Sequence, residues 1–183
     1  MDTATTFPPF AATPDIEAQA DERISHYPAD QKRSAVLPLL HIIQHNFGFI
    51  SKEATEWVAE KLGLEPMQVY EVVSFYPGLR EHSPGKFHFR VCRTLSCAMV
   101  GSAELMDRIC ELTGIDRSNS DSHHNPIAVS PCGKWSVEFA ECLASCGTGP
   151  VCLVNDDFHE AITEDKAEGL IKHYSEAASS TAN

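Results

Sequence analysis

The 183-residue chain is 43% hydrophobic, enough to build the core of one ordinary domain or of two small ones. With 26 acidic against 14 basic residues and a formal net charge of −12, it has the wrong sign for a phosphate-tracking surface, so nucleic acid is not an expected partner. Apolar stretches such as Ala35 to Leu40 are too short to span a bilayer, and the N-terminus lacks a basic or apolar leader, so no membrane insertion and a cytoplasmic location are expected.

Residues 1–12 are rich in Thr, Pro and Ala without periodicity and are expected to be a disordered tail. Thr13-Pro14-Asp15 then combines an N-cap, a proline at the first helical position and an acid in the first turn, predicting a helix that the Tyr27-Pro28 step ends. From Gln31 to Asn46 the apolar positions Val36, Leu39, Leu40 and Ile43 recur at helical spacing, with Pro38 expected to kink the helix or mark its true start and Gly48 to stop it. Ser51 caps a third helix through Leu62, and Pro66 opens a fourth in which Val69, Val72, Val73 and Tyr76 share a face. Residues 13–80 therefore read as a helical bundle.

After the Pro77-Gly78 break and the turn from His82 to Gly85 the period changes. Phe87, Phe89 and Val91 alternate with His88 and Arg90, as in a half-buried strand. A helix over 101–113 turns Leu105, Met106, Ile109 and Leu112 inward, and a polar stretch after Gly114, including His123-His124, reads as a long surface loop. Trp135 to Ala140 alternates again, Val151 to Val154 is an apolar run, Asn155-Asp156 is a turn, and Thr163 caps a closing helix. This β-α-β-β-α order predicts a thioredoxin-like α/β domain over residues 81–175, with 176–183 as a flexible tail; the fold class as a whole is α+β.

The seven cysteines are odd in number and carry no secretion signal, which argues for metal binding or buried thiols over a disulfide framework. Cys92 and Cys97 lie where the first strand runs out, and Cys142 and Cys146 lie where a second one does. Two such pairs can converge at one sheet edge, and soft thiolates suit an iron-sulfur cluster, zinc or Cu(I). Gly147 and Gly149 would let backbone N–H groups approach cluster sulfur. From spacing alone structural zinc and a set of buried thiols both remain open. Neither pair contains the histidines of a Rieske centre or the C-x-x-C of a dithiol enzyme. Cys110 and Cys152 read as core thiols, and Cys132, in Ser130-Pro131-Cys132-Gly133, as an exposed or half-exposed loop thiol that loop mobility could bring to the cluster region.

Several segments together resemble a known family. They are Ser34 to Leu40, Gln44 with Gly48, Val69 to Tyr76, Val91-Cys92 with Cys97, and Glu141 to Cys146 through Pro150 and Asn155-Asp156. They are similar to the small thioredoxin-like iron-sulfur subunit, known as the E subunit, of bacterial NADH:quinone oxidoreductase (complex I), over Tyr27 to Ile171. The resemblance implies that Cys92, Cys97, Cys142 and Cys146 ligate a [2Fe-2S] cluster. It implies an electron-transfer subunit of an NADH dehydrogenase with no catalytic residues of its own, peripheral on the inner face of the plasma membrane. Its implied partners are a flavoprotein (the F subunit) that carries FMN, the NADH site and a [4Fe-4S] cluster, and the larger iron-sulfur subunit. Tyr27 to Tyr76 would face the flavoprotein, and Pro150 resembles the cis-proline of the thioredoxin fold. Three features depart from the family pattern: a long segment between Gly114 and Trp135, Cys132 within it, and Pro77-Gly78 after Phe75-Tyr76.

Independently of the resemblance, no G-x-G-x-x-G or P-loop is present, because Gly147-Thr148-Gly149 is followed by Pro150, Val151 and Cys152, so NADH and FMN are expected to bind elsewhere. The alternatives are the equivalent diaphorase subunit of an NAD-linked hydrogenase or formate dehydrogenase, and a zinc-stapled, non-redox interaction module.

Overall fold

The computed structural model describes residues 8–118, 120 and 126–180. The chain divides at Ser83/Pro84 into two units, inside the Gly78 to Gly85 link where the sequence period changes.

The first unit is helical. In α1 (Pro14–Ser25) Thr13 Oγ1 accepts the Ile16 N–H at 3.4 Å, and in α3 (Lys52–Leu62) Ser51 Oγ accepts the Ala54 N–H at 3.2 Å, each satisfying an orphan donor of the first turn. A 3-10 turn over Lys32–Ala35 precedes α2 (Val36–Phe47). Pro38 thus lies in the first turn of α2, where it removes no intrahelical hydrogen bond and need not kink the helix. In α4 (Pro66–Phe75) Glu65 and Gln68 form a reciprocal capping box. Leu39, Leu40, Ile43, Val58 and Val69 fill the core of this unit.

Part of the expected N-terminal tail is anchored. Phe10 packs edge-on against Phe47 with ring centroids 5.3 Å apart, and lies 5.6 Å from Trp57, because an aromatic ring gains more from burial than the short coil before α1 loses in freedom. Residues 1–7 lie outside the described residues.

The second unit is built from β1 (Phe87–Cys92), α5 (Leu95–Met99), α6 (Ser102–Thr113), β2 (Ala128–Val129), β3 (Trp135–Ala140), β4 (Cys152–Val154), β5 (Asp157–His159) and α7 (Ala167–Ser180). The sheet order is β2-β3-β1-β4-β5. β1 and β3 are parallel, with Phe87 opposite Trp135 and Cys92 opposite Ala140, whereas β4 runs antiparallel to β1. Phe87, Phe89 and Val91 pack against Leu105, Met106 and Ile109 of α6 and Leu170 and Tyr174 of α7, so both helices cover one face.

Three expectations need correcting here. β2 lies in the segment read as a loop, and β5 follows the Asn155-Asp156 turn; strands of two or three residues are too short to leave a period. α7 runs through much of the expected tail to Ser180, since Glu176 and Ala177 are good helix formers and Lys172 pairs with Glu176 at 3.9 Å. Finally, β1 is not half-exposed: His88 is buried, with Nδ1 2.8 Å from Ser136 Oγ and Nε2 3.0 Å from Glu138 Oε1, so that hydrogen bonds make the polar face of the strand compatible with burial. Gly85 has to be a glycine at the head of β1, because a Cβ there would stand 2.6 Å from the Trp135 carbonyl carbon. His123 and His124 lie outside the described residues. Among the described residues no helix is long and apolar enough to cross a membrane.

Candidate metal centre

Parallel neighbours end at the same side of a sheet, and here that brings the two cysteine pairs to one rim. β1 ends at Cys92, whose N–H donates to Val151 O at 3.1 Å, and the next N–H, of Arg93, donates to Ala140 O at 2.9 Å. Thr94 then starts α5, which carries Cys97 in its middle. β3 ends at Ala140, Cys142 follows in the loop, and Cys146 opens a 3-10 turn over Cys146–Thr148 that packs on α5. The Arg93 guanidinium reaches from the first loop to Glu141 in the second, with Nε 3.0 Å and Nη2 2.5 Å from Oε1.

The two pairs differ in surroundings. Cys92 and Cys97 are each 1% exposed and pack with Val151 and Leu143, whereas Cys142 and Cys146 are exposed. Cys92 Sγ lies 3.2 Å from Thr94 Oγ1. Burial pushes the Cys92 thiol up, but hydrogen bonds from the Thr94 hydroxyl and from the Thr94 and Leu143 backbones outweigh it, and the net shift is downward. Burial pushes Cys97 up, helped by the nearby thiols of Cys92 and Cys146 and only partly offset by a hydrogen bond from the Val151 backbone. In the second pair the sulfurs stand 3.9 Å apart, and the Ala144 N–H points back at Cys142 Sγ at 3.3 Å. Ala144 does so in a left-handed conformation, φ 62°, which costs an L-residue about 1–2 kcal/mol.

Gly149 closes the site. A Cβ on it would lie 3.0 Å from Val100 Cγ2 and 3.4 Å from Cys97 Sγ, so the missing side chain lets the chain cross directly over Cys97. The Gly149-Pro150 peptide bond is cis.

The remaining cysteines stand apart from this rim. Cys152 points into the sheet core, and burial pushes its thiol up to about 12. Cys110 is half-buried against the same core, and its thiol is also raised by burial. Cys132 occupies the turn between β2 and β3, with Sγ 3.3 Å from Ser130 Oγ. That turn precedes β3 while the thiol rim follows it, so six strand residues, about 17 Å, separate the two. The Ser130 hydroxyl, backbone N–H groups and Lys134 lower the Cys132 thiol. Sequence reasoning missed Glu160, whose carboxylate accepts hydrogen bonds from Ser145 and Thr148 on either side of Cys146; an exposed acid twelve or more residues away leaves no signal in the chain.

The model of the thioredoxin-like [2Fe-2S] ferredoxin family matches residues 20–175. The chain belongs to that family. This ferredoxin chain is 38% identical over 152 residues to NADH-quinone oxidoreductase subunit 2 of Thermus thermophilus, a match covering 82% of this chain and 79% of that one. It is 38% identical over 158 residues to the E subunit of the NADH-quinone oxidoreductase of Rickettsia felis, covering 85% and 89%. Against the E subunit from Rickettsia typhi it is 36% identical over 175 residues, covering 95% and 98%. In fold it is similar to an NAD+-reducing [NiFe]-hydrogenase crystal structure, with a TM-score of 0.61 at 16% identity; the match covers 75% of this chain and only 22% of the hydrogenase chain.

The donor set of this ferredoxin fits the group that names its family. Two sulfurs on one tetrahedral metal, at bonds of about 2.3 Å, stand about 3.8 Å apart, and Cys142 and Cys146 stand at 3.9 Å. Among the described residues no three Cys, His, Asp or Glu side chains converge on a single-ion site. Two thiol pairs side by side are the arrangement for two irons, one pair to each.

Proposed function

We propose that this chain is the electron-transfer subunit of a respiratory NADH:quinone oxidoreductase, and that Cys92, Cys97, Cys142 and Cys146 hold its [2Fe-2S] cluster. The observation that carries the reading is the pairing of the thiols. One pair is buried where β1 meets α5, and the other is exposed at metal-sharing distance in the loop that follows β3, the parallel neighbour of β1. The naming of relatives at 36–38% identity as subunits of that oxidoreductase supports the choice of parent complex.

When bound, the cluster supplies one-electron exchange, here with FMN on a flavoprotein partner that also carries the NADH site and a [4Fe-4S] cluster. The protein's part is positional. Cys92 and Cys97 fix one half of the site against Val151 and Leu143, Gly149 keeps side chains off Cys97, and the Ala144 N–H offsets charge on Cys142. Leu95 and Met99, exposed on α5 beside Cys97, offer an apolar surface that a partner can cover. In the helical unit Met67, Tyr70 and Phe75 do the same on α4. With the larger iron-sulfur subunit as a further neighbour, the chain sits in a peripheral assembly on the cytoplasmic face of the membrane.

The test is EPR with iron and acid-labile sulfide analysis on anaerobically purified chain. About two irons and two sulfides per chain, with a signal appearing on reduction by dithionite, are expected. A colourless, zinc-loaded protein would end the electron-transfer reading and leave the interaction module. The diaphorase alternative is separated by isolating the native complex: NADH-driven quinone reduction supports the proposal, and NAD reduction driven by hydrogen or formate overturns the choice of parent enzyme.

A further inference from the structure

We infer that Glu160 is a positioning residue of the cluster site, which locks the Cys146 turn in place and holds a fixed negative charge beside it that lowers the cluster's reduction potential. The inference rests on the cluster reading above. It starts from the hydroxyls on either side of Cys146. Ser145 precedes the cysteine and Thr148 follows two residues later, and both donate to the same oxygen, Glu160 Oε1, Thr148 at 2.5 Å. The two hydroxyl oxygens are themselves 2.6 Å apart. Glu160 lies just beyond β5, on a segment that the backbone also ties down: the Ala161 N–H donates to Thr148 O at 2.7 Å and the Ile162 N–H to Pro150 O at 3.0 Å. The turn carrying Cys146 is therefore fastened to the segment after β5 by backbone and side chain together.

The charge follows from the same contacts. Hydrogen bonds from Ser145 and Thr148 hold the Glu160 carboxyl below its ordinary range, so at neutral pH it is ionised, and it is held by hydroxyls rather than by a cation. Lys166, the nearby base, donates to Ala161 O. Two ferric irons, two sulfides and four thiolates sum to two negative charges, and the added electron makes three. A fixed anion nearby opposes that addition. The hydrogen bonds among Ser145, Thr148 and Glu160 Oε1 also take up the two hydroxyl protons, which would otherwise be free to turn towards cysteine or cluster sulfur and favour the extra electron.

The experiment uses the full-length chain carrying its cluster, with the midpoint potential read by redox titration followed by EPR and visible absorbance. In Glu160→Gln the amide oxygen still accepts both hydroxyls while the charge is gone. The expected result is a potential shifted to more positive values at unchanged iron and sulfide content, the shift shrinking as salt is raised through the range where the Debye length falls below about 10 Å. A loaded Glu160→Gln with the wild-type potential at low salt overturns the charge role. The double variant Ser145→Ala/Thr148→Val keeps the carboxylate and cuts its hold on the turn. It is expected to lose iron to a chelator several-fold faster than wild type, and a wild-type rate overturns the positioning role even if Glu160→Gln fails to load. A wild-type chain without iron and sulfide sinks the cluster reading itself, whereas a loaded wild type beside an unresponsive Glu160→Gln sinks the inference alone.

Discussion

The two thiol pairs reach one rim by different routes. Cys92 and Cys97 sit on a strand end and a one-turn helix, both buried to 1% exposure, so their positions are set by the packing of Val151 and Leu143 around them. Cys142 and Cys146 are themselves exposed, on a loop that puts only Leu143 against the small core cluster and is otherwise held by the left-handed Ala144, the Arg93–Glu141 pair and the Glu160 contacts. A half held by packing does not need a ligand to keep its shape, but a half held by a few exposed hydrogen bonds gains much of its order from whatever it binds. The exposed pair is accordingly the open side of the site, and the buried pair its fixed wall.

Removing one sulfur from each half gives the largest expected effect. Cys97→Ser and Cys146→Ser should both lose the cluster, read as iron and sulfide content and EPR. In the metal-free chain they should part company. A hydroxyl in the apolar Cys97 pocket should cost about 1–3 kcal/mol, whereas the exposed Cys146→Ser should stay within about 0.5 kcal/mol of wild type. Urea melts of the two variants measure the difference, and equal stabilities would remove the distinction between the halves.

The contrast also marks what was legible in the chain. The helices declared themselves through the period of Leu39, Leu40 and Ile43 and the caps at Thr13 and Ser51, because local chemistry decides those features. β1 and β3 showed in the alternation of Phe87, Phe89 and Val91 and of Trp135, Val137 and Phe139. β2 and β5 are shorter than the windows in which a period can be read. Burial of His88 depends on Ser136 and Glu138, 48 and 50 residues away, which no local pattern carries. At the site, the four ligand candidates were visible as spaced cysteines at strand ends. The left-handed Ala144 and the Glu160 clamp were not, since tertiary hydrogen bonds, and not residue type, create them.

Thiol reactivity sharpens the comparison on a finer scale. With the cluster in place, iodoacetamide at pH 8 should modify Cys132 first, because its lowered pKa raises the thiolate fraction at an exposed position. Cys152, pushed up to about 12, holds on the order of a thousandfold fewer thiolates than an ordinary cysteine at that pH and should be modified last. After chelation Cys142 and Cys146 should become reactive before Cys92 and Cys97, because only the first two are exposed. Mass mapping of the alkylated peptides follows the order, and simultaneous release of all four would mean that the buried wall does not survive metal loss.

Gly149→Ala tests the wall from above. The new methyl would press on Val100 Cγ2 at 3.0 Å and on Cys97 Sγ at 3.4 Å. Val100 is half exposed and can give way, so the expected destabilisation is about 1 kcal/mol, at the low end for overpacking. Because the push falls on Cys97, the loaded variant should lose iron faster than wild type, whereas an alanine at Gly147, where a Cβ would meet nothing within 4 Å, should not. The chelation rates of the two variants are the comparison, and equal rates would mean that the close crossing of Gly149 over Cys97 does not govern the site.

The smallest effect belongs to the strut between the halves. Arg93 and Glu141 are 44% and 60% exposed, and exposed ion pairs contribute about 0–1 kcal/mol, so Arg93→Ala should leave the melting of the metal-free chain nearly unchanged. Its effect should appear in the loaded state instead. The guanidinium grips Glu141, directly before Cys142, through two of its nitrogens, and the exposed half has few other restraints. Cluster loss to a chelator should therefore quicken in Arg93→Ala, and raising salt should bring wild type part of the way towards the variant, since an exposed pair is screened. A variant that melts and releases iron like wild type at low salt would mean that the backbone bond from Arg93 N–H to Ala140 O is enough to align the two loops.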